Sequence, residues 1–483
     1  MKLSELLKDV KVEKIIGNSE LNISGITFDS RAVKAGYMFI CIPGFKVDGH
    51  DFAAEAIDKG AVAILAEHSI EGVGATTVIV KNARLETSTI ASNFYDHPDK
   101  KLKVIGITGT NGKTTTTYLI KSIIENTGKT VGLIGTNQNL IGKTVIPSHH
   151  TTPDFIELMD LLNQMVEEGA EYAVMEVSSH SLALNRVSAC SFEVGAFTNI
   201  TQDHLDFHKT MENYLEAKSK LFELCRIGVI NNDSDAAEYL INKAQNCKTL
   251  TYGKNNPSDI KAENVNLRGN GIDFDLNCGG EKIKIDLAIP GEFSVYNALT
   301  AISCCIGLGF SLEEIADGLR TAEGVKGRIE VVKTNKDYTV IIDYAHTPDG
   351  LFNIINTIRG FAKGRVITLF GCGGDRDKAK RPIMGEIAGK LSDFCIVTSD
   401  NPRSEKPSDI IVDILSGISG TGCDYAVVEN RFDAIEFALD HAEKDDIILL
   451  AGKGHETYQV LNDRVIEFDE REIVLKLVGG LEG

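Results

Sequence analysis

A short apolar run at 104–107, the turn Gly109-Thr110-Asn111-Gly112-Lys113-Thr114 and the helix-like start Tyr118-Leu119-Ile120 follow one another without interruption. Strand, glycine-rich turn and helix in that order mark a phosphate cradle within an α/β layer. Glycines let backbone N–H groups turn inward on an anion, and the helix N-terminus adds partial positive charge. The lysine can reach terminal phosphates, and the threonine hydroxyl can ligate magnesium. The spacing departs by one position from the usual loop, because Ile107 stands where a glycine is expected six residues before Lys113. Without its flanks the turn favours the phosphate reading only modestly over an ordinary exposed loop; with them it predicts a nucleoside triphosphate site.

A chain of 483 residues is too long for one core, and 43% hydrophobic residues suffice for several. Short strands at 23–28, 38–42, 62–66 and 77–80 precede the polar stretch His97-Pro98-Asp99-Lys100-Lys101, which sets a first domain at 1–98. Strands at 104–107, 172–177 and 228–231 alternate with helical stretches such as 155–168, so residues 99–328 are expected to form a central domain with a mainly parallel sheet. A third domain, 329–483, repeats the architecture with strands at 339–343, 365–370, 394–398 and 447–451. The expected fold is α/β in three domains: a small N-terminal α/β domain, a central P-loop domain and a C-terminal Rossmann-like domain. Ligands in such sheets sit at the carboxyl ends of strands, so two sheets facing each other would enclose a cleft.

The formal charge of −19 argues against nonspecific binding to nucleic acid or an anionic membrane, while leaving room for local basic pockets. Ten scattered cysteines, with no CxxC pair and only Cys304-Cys305 adjacent, suggest neither a zinc site nor a disulfide framework. The start lacks a signal-peptide core and no apolar run is long enough to span a bilayer, so a cytoplasmic protein is expected.

Other constellations are weaker alone. Glu176 closes the apolar strand Tyr172-Ala173-Val174-Met175 and could serve magnesium or be a solvated strand-end acid. Asp203-His204-Leu205-Asp206-Phe207-His208 packs two acids and two histidines into six residues, either for metal or phosphate contacts or as a polar turn. The lysines of 217–222 read as a solvated helix face, Asn297 as a helix cap, Arg328 as a hinge charge, and Asp400-Asn401-Pro402-Arg403 as a turn.

Taken together, Gly109 to Thr115, Glu176-Val177-Ser178-Ser179-His180, Asp203-His204-Leu205-Asp206, Ala217-Lys218, Asn297-Ala298-Leu299, Gly327-Arg328, Asp343-Tyr344-Ala345-His346, Gly371-Cys372-Gly373-Gly374-Asp375-Arg376, Asp400-Asn401-Pro402-Arg403 and Gly452-Lys453-Gly454-His455-Glu456 occur in the order seen in Mur ligases. The chain resembles that family over nearly its whole length, and within it the branch that adds the third residue of the peptidoglycan stem peptide. The resemblance implies an ATP-dependent amide ligase. Its partners would be UDP-N-acetylmuramoyl-L-alanyl-D-glutamate and meso-diaminopimelate, and a monomer is expected.

The resemblance also implies roles. Gly109, Thr110, Asn111, Gly112, Lys113, Thr114 and Thr115 would hold ATP, with Asn297 at the adenine and Arg328, Asp343 and His346 reaching the nucleotide. Thr114 and Glu176 would ligate one magnesium, and His204 would serve a second. Lys218 would carry carbon dioxide as a carbamate, since an ammonium has no acceptor with which to ligate that ion. Ser30, in Asp29-Ser30-Arg31, with Thr151, Thr152, Ser178 and Arg186, would meet the UDP-sugar peptide. Arg376, Asp400, Asn401, Arg403, Gly452 and Glu456 would meet the amino acid, Arg403 pairing with the carboxylate that diaminopimelate has and lysine lacks. The chain departs from the family pattern at Leu184, where many relatives carry glutamine, and at Lys326, where proline is common. A lysine or folate glutamate ligase and an ATP-binding switch are the alternatives; Arg403 and Asp29 to Arg31 weigh against the first two, and Glu176, His204 and Lys218 against the third.

Overall fold

The computed structural model describes residues 1–44, 47–70, 72, 74–142, 144–148, 150–201, 203–268 and 271–479, the side chain of Asp206 excepted. They form two compact units, one of Met1–Lys261, Asn277–Glu281 and Tyr296–Gly318, the other of Ala262–Leu276, Lys282–Val295 and Leu319–Gly483.

The first unit opens with a five-stranded sheet of β1 (Val12–Ile16), β2 (Gly25–Thr27), β3 (Tyr37–Ile40), β4 (Ala63–Ala66) and β5 (Thr76–Val80), in the order β1-β5-β4-β3-β2. All its pairings are parallel except β1 with β5. Ile40, Leu65 and Val78 pack against Ile90 of the helix Ala83–Phe94, whose first turn is capped by Asn82 accepting from the Leu85 amide.

Its larger sheet contains β6 (Lys103–Thr108), β7 (Val131–Ile134), β8 (Asn139–Ile141), β9 (Thr144–Ile146), β10 (Tyr172–Glu176), β11 (Phe192–Phe197), β12 (Cys225–Asn231) and β13 (Lys248–Gly253). They lie in the order β13-β12-β11-β6-β10-β7-β8-β9, parallel from β13 to β7 and antiparallel beyond. β10 is buried along its length, as a parallel strand covered on both faces must be. From β6 the chain passes through the helix Lys113–Asn126 to β7 on one side, whereas β10 leads to β11 on the other. The connections diverge at the carboxyl end of β6, the place where an open α/β sheet leaves a crevice.

The expected alternation of strand and helix breaks at β14 (Ile260–Arg268), β15 (Gly271–Cys278) and β16 (Glu281–Leu287), which follow one another with no helix between. Buried Ile272, Phe274 and Leu276 alternate with Asp273 and Asp275, a period of two that suits a strand with one wet face.

The second unit carries β17 (Glu330–Val332), β18 (Thr339–Asp343), β19 (Val366–Phe370), β20 (Phe394–Val397), β21 (Asp424–Val427) and β22 (Ile447–Ala451) in the order β17-β18-β22-β19-β20-β21, with β17 antiparallel and the rest parallel. A hairpin of β23 (Tyr458–Val460) and β24 (Val465–Glu467) follows. Ile355, Met384 and Ile414, from the helices Pro348–Arg359, Lys380–Leu391 and Pro407–Ile418, belong to one core; Ile435 and Val474, from Arg431–Asp440 and Glu470–Leu477, belong to another. Segments 344–347, 371–376, 400–403 and 452–456 all leave carboxyl ends of parallel strands. The fold is therefore the α/β architecture expected, with parallel sheets in both units.

Candidate active site

At the end of β6 the backbone bends in ways only glycine tolerates. Gly109 has φ +152° and Gly112 has φ +84°; a Cβ at the first would strike the Thr198 side chain and at the second the Asn297 Oδ1. Gly112 is the N-cap of the helix Lys113–Asn126, and no side chain caps that helix, so its first-turn N–H groups and dipole are left for an anion. Lys113 Nζ donates to the Gly109 and Thr110 carbonyls, each at 2.9 Å. Asn199 holds the loop by accepting from the Thr110 amide through its carbonyl and from the Asn111 amide through Oδ1, both at 2.9 Å.

Thr114 Oγ1 donates to Glu176 Oε1 at 3.0 Å. Glu176 is wholly buried and also accepts from the Thr136 amide at 2.9 Å and the Thr136 hydroxyl at 3.0 Å. A hydroxyl and a carboxylate in contact beside an open phosphate loop are hard oxygen donors of the kind magnesium takes together with phosphate oxygens and water, so the residues fit that ion. Among the described residues no three His, Cys, Asp or Glu side chains gather into a metal nest.

Lys218, on the helix Met211–Ser219, is 1% exposed, which excludes the solvated-face reading. Its Nζ lies 4.4 Å from the centroid of the Tyr214 ring. Burial, reinforced by the charge of Lys113 and opposed by Asp203, holds its ammonium well below the ordinary lysine range. Tyr214 OH in turn lies 3.1 Å from Thr110 Oγ1, tying this helix to the phosphate loop. His204 sits at φ +53° and pairs with Asp203 at 3.4 Å, its ring 4.8 Å from that of His180. Asn297 lies within the helix Glu292–Leu308 and is not its cap.

Among the residues expected at the UDP-linked substrate, Thr152 Oγ1 donates to the Glu176 carbonyl and accepts from the Ser178 amide, both at 2.9 Å, and Thr151 Oγ1 lies 3.1 Å from Thr136 Oγ1, whose single proton goes to Glu176. Ser178 caps the helix Ser179–Ala183, and Arg186 pairs with Asp154 at 2.9 Å. Ser30 Oγ donates to Glu55, while Arg31 forks onto Asp29 with two 2.9 Å bonds.

In the second unit Asp343 is buried and accepts from the Ile329 and Ala345 amides at 2.9 Å each; burial raises its carboxyl pKa against the opposing charge of Arg328. The Arg328 guanidinium lies 5.0 Å from the Tyr344 ring, which also neighbours His346 at 4.6 Å and His455 at 4.9 Å. Burial pushes His455 below its usual pKa. Asn401 Nδ2 donates to Glu456 Oε2 at 2.9 Å, and Arg403, at φ +51°, donates from Nη1 to the Gly374 carbonyl at 2.8 Å. A Cβ on Gly452 (φ +114°) would lie 2.8 Å from Asp400 Oδ2. Arg376 is exposed and donates to the neighbouring Asp375 carbonyl at 3.1 Å.

Family models match three stretches: the Mur ligase family catalytic domain at 22–97, the Mur ligase middle domain at 107–305 and the Mur ligase glutamate ligase domain at 327–454. The chain belongs to the Mur ligase family. Among similar proteins are the UDP-N-acetylmuramoyl-L-alanyl-D-glutamate--2,6-diaminopimelate ligase of Caldanaerobacter subterraneus subsp. tengcongensis, 51% identical over 483 residues and all of both chains, and that of Clostridium acetobutylicum, 50% identical over 99% of each. A solved structure of a ligase of the same name superposes with a TM-score of 0.76, at 31% identity over 99% of both chains.

Several residues of this Mur ligase that shape the site escaped the sequence reading. Thr136, which gives Glu176 two of its hydrogen bonds, follows Gly135 just beyond β7, a strand-end position that could have singled it out. Tyr214 and Asn199 carry no such signal, because their parts depend on contacts distant in sequence. Lys453 and Gln459 are likewise visible only once the segments after β20 and β22 meet.

Proposed function

We infer that this chain catalyses the ATP-dependent addition of diaminopimelate to the D-glutamyl γ-carboxylate of UDP-N-acetylmuramoyl-L-alanyl-D-glutamate, yielding the tripeptide, ADP and phosphate. The observation that carries the reading is the full-length likeness, at 51% identity, to a ligase of that name. Two features of the site support it independently. The phosphate loop is backed by the Thr114–Glu176 contact, and the segment 400–403 places Arg403 beside the Asn401–Glu456 hydrogen bond.

The γ-carboxylate attacks the ATP γ-phosphorus, expelling ADP and forming an acyl phosphate; the diaminopimelate amine then attacks the acyl carbon, expelling phosphate and losing a proton. Lys113 and the open N-terminus of its helix would stabilise negative charge on the transferring phosphoryl group. Magnesium held by Thr114 and Glu176, with a second ion toward His204 and a carbamylated Lys218, would neutralise phosphate charge. The carbamate requires an unprotonated amine, and the burial of Lys218 together with Lys113 nearby favours that form.

Asn297, across from Gly112, suits an adenine contact; Arg328, Asp343 and His346 are assigned to the nucleotide by the family motif alone. Thr151, Thr152, Ser178, Arg186 and Ser30 suit the UDP-linked peptide, although Arg186 must leave or share Asp154 to do so. Arg403 would pair with the distal carboxylate and Glu456 with the distal ammonium. A charge-assisted bond contributes about 1.5 to 3 kcal/mol, so lysine should be a poor substrate. Among the described residues no helix is long and apolar enough to cross a membrane, in keeping with a cytoplasmic step on a nucleotide-linked precursor. A monomer is part of the same reading.

The test is phosphate release from ATP with the UDP-linked dipeptide and meso-diaminopimelate, L-lysine or no amino acid. Release with diaminopimelate alone, accompanied by tripeptide, is the expected result. Equal release with lysine would remove the specificity, and release indifferent to amino acid would remove ligation in favour of an ATP-driven switch.

A further inference from the structure

Lys453 follows Gly452 in the turn after β22 and is completely buried. Its Nζ lies 3.2 Å from Asn401 Oδ1 and 3.1 Å from Glu456 Oε2, with the Tyr458 ring centroid 5.8 Å away. Asn401 Nδ2 donates to the same Glu456 Oε2 at 2.9 Å, and Asn401 Oδ1 also accepts from the Val460 amide at 2.9 Å. Two donors from different segments thus converge on one carboxylate oxygen of Glu456, whose side chain is 15% exposed, while Oε1 has no hydrogen bond among the described residues. A lysine fully removed from water is costly unless its charge is matched, and here the match is Glu456.

We propose that Lys453 is a positioning residue for amino-acid specificity: it locks Glu456 through Oε2, leaving Oε1 for an incoming ammonium, and sets a buried positive charge beside that position. Both consequences favour diaminopimelate. A carboxylate held on one oxygen offers the ammonium a single geometry, and the lysine charge disfavours any amino acid of net positive charge. Diaminopimelate, with two ammonium and two carboxylate groups, is neutral overall; L-lysine carries one net positive charge. Selectivity would then come from this repulsion as well as from Arg403.

The inference rests on the assignment of Glu456 to the amino acid, and a double-mutant cycle separates the two. Steady-state kinetics would be measured for wild type, K453M, E456Q and the double variant, varying diaminopimelate, L-lysine, ATP and the UDP-linked dipeptide in turn. K453M should raise KM for diaminopimelate about tenfold, leave KM for the other two substrates unchanged, and narrow the kcat/KM preference for diaminopimelate over lysine by about tenfold. In the E456Q background the same substitution should add nothing further. An unchanged KM in K453M, an unchanged preference, or fully additive losses would overturn the role of Lys453 while leaving Glu456 in place. If E456Q alone leaves KM for diaminopimelate unaltered, the assignment of Glu456 and this inference fall together. K453Q, which keeps a donor but removes the charge, serves if K453M does not fold; there the preference for diaminopimelate over lysine should still narrow, and an unchanged preference would be equally decisive.

Discussion

On the proposed reading the turn after β6 and the turn after β20 would both recognise charged ligands, but by different means. After β6 the recognising groups are backbone amides and one flexible lysine, made available by two glycines at positive φ and a helix left uncapped. After β20 they are side chains with fixed partners: Asn401 on Glu456, Lys453 on both, and Gln459 Nε2 on the Asp400 carbonyl at 2.6 Å. A backbone cradle suits a ligand part common to every reaction of a family, the triphosphate. A side-chain lattice suits the part that differs between members, because changing one residue changes the ligand read. Disturbing the first should therefore reduce turnover with any acceptor, and disturbing the second should alter one KM.

The largest effect is expected at Lys218. Lys218→Ala should lower ligation by about 10³-fold or more, with partial recovery on adding short carboxylic acids, which can supply the missing anion. Phosphate release with and without acetate is the measurement; full activity without additives would remove the carbamate. The sign with pH follows from the depressed ammonium pKa. As pH rises the unprotonated fraction grows, so enzyme depleted of carbon dioxide should regain activity on bicarbonate addition more completely at about pH 8 than at about pH 6, roughly one unit either side of neutrality.

Gly112→Ala comes next. Its Cβ would meet Asn297 Oδ1 and its φ of +84° is strained for alanine, so ATP affinity should fall by about 10²-fold with some loss of stability. Gly279→Ala is the control, since that residue also has positive φ (+60°) but open space around it. Equal effects of the two on nucleotide binding would mean that close approach at Gly112 is unimportant.

The same contrast explains what could be read in the sequence. The phosphate loop was legible because its parts are adjacent, and strands β18 and β22 end where the apolar runs end, at Asp343 and Ala451. Lys218 was legible only through the family motif, since composition alone placed it on a wet face and its surroundings include Tyr214, tied to the loop of Thr110 a hundred residues away in sequence. The lattice after β20 was half legible: the family motif pointed to Asn401, Arg403 and Glu456, whereas Lys453 and Gln459 acquire meaning only when β22 and β23 are brought beside it. The meander β14 to β16 was missed although its two-residue period was present, because the helix-strand alternation on either side was extended across it.

Arg403→Ala tests the side-chain half. Loss of one charge-assisted pair should raise KM for diaminopimelate by about 10- to 100-fold while KM for ATP stays put. Arg403→Lys should recover little, because a point charge does not reproduce a planar fork. Parallel losses for both ligands would mean that the residue shapes the unit and does not read the amino acid.

The smallest effect concerns the frame under that lattice. Glu405, two residues beyond Arg403, accepts from the buried Arg381 at 2.8 and 3.1 Å and from the Asp375 amide at 2.7 Å, and pairs with Lys378 at 3.1 Å. Arg381 first, then the Asp375 amide and Lys378, hold its carboxyl at about 2, against an ordinary value of 4.5. Because the folded form binds its proton less readily than the unfolded chain, the stabilisation is complete above pH 4.5 and disappears as pH falls toward about 2. Glu405→Gln should melt several degrees below wild type at neutral pH, with the gap closing on acidification through that window, as followed by thermal unfolding across a pH series. A gap independent of pH would assign the loss to packing around Arg381. A rise in KM for ATP as large as that for diaminopimelate would show that this frame serves more than the amino-acid half.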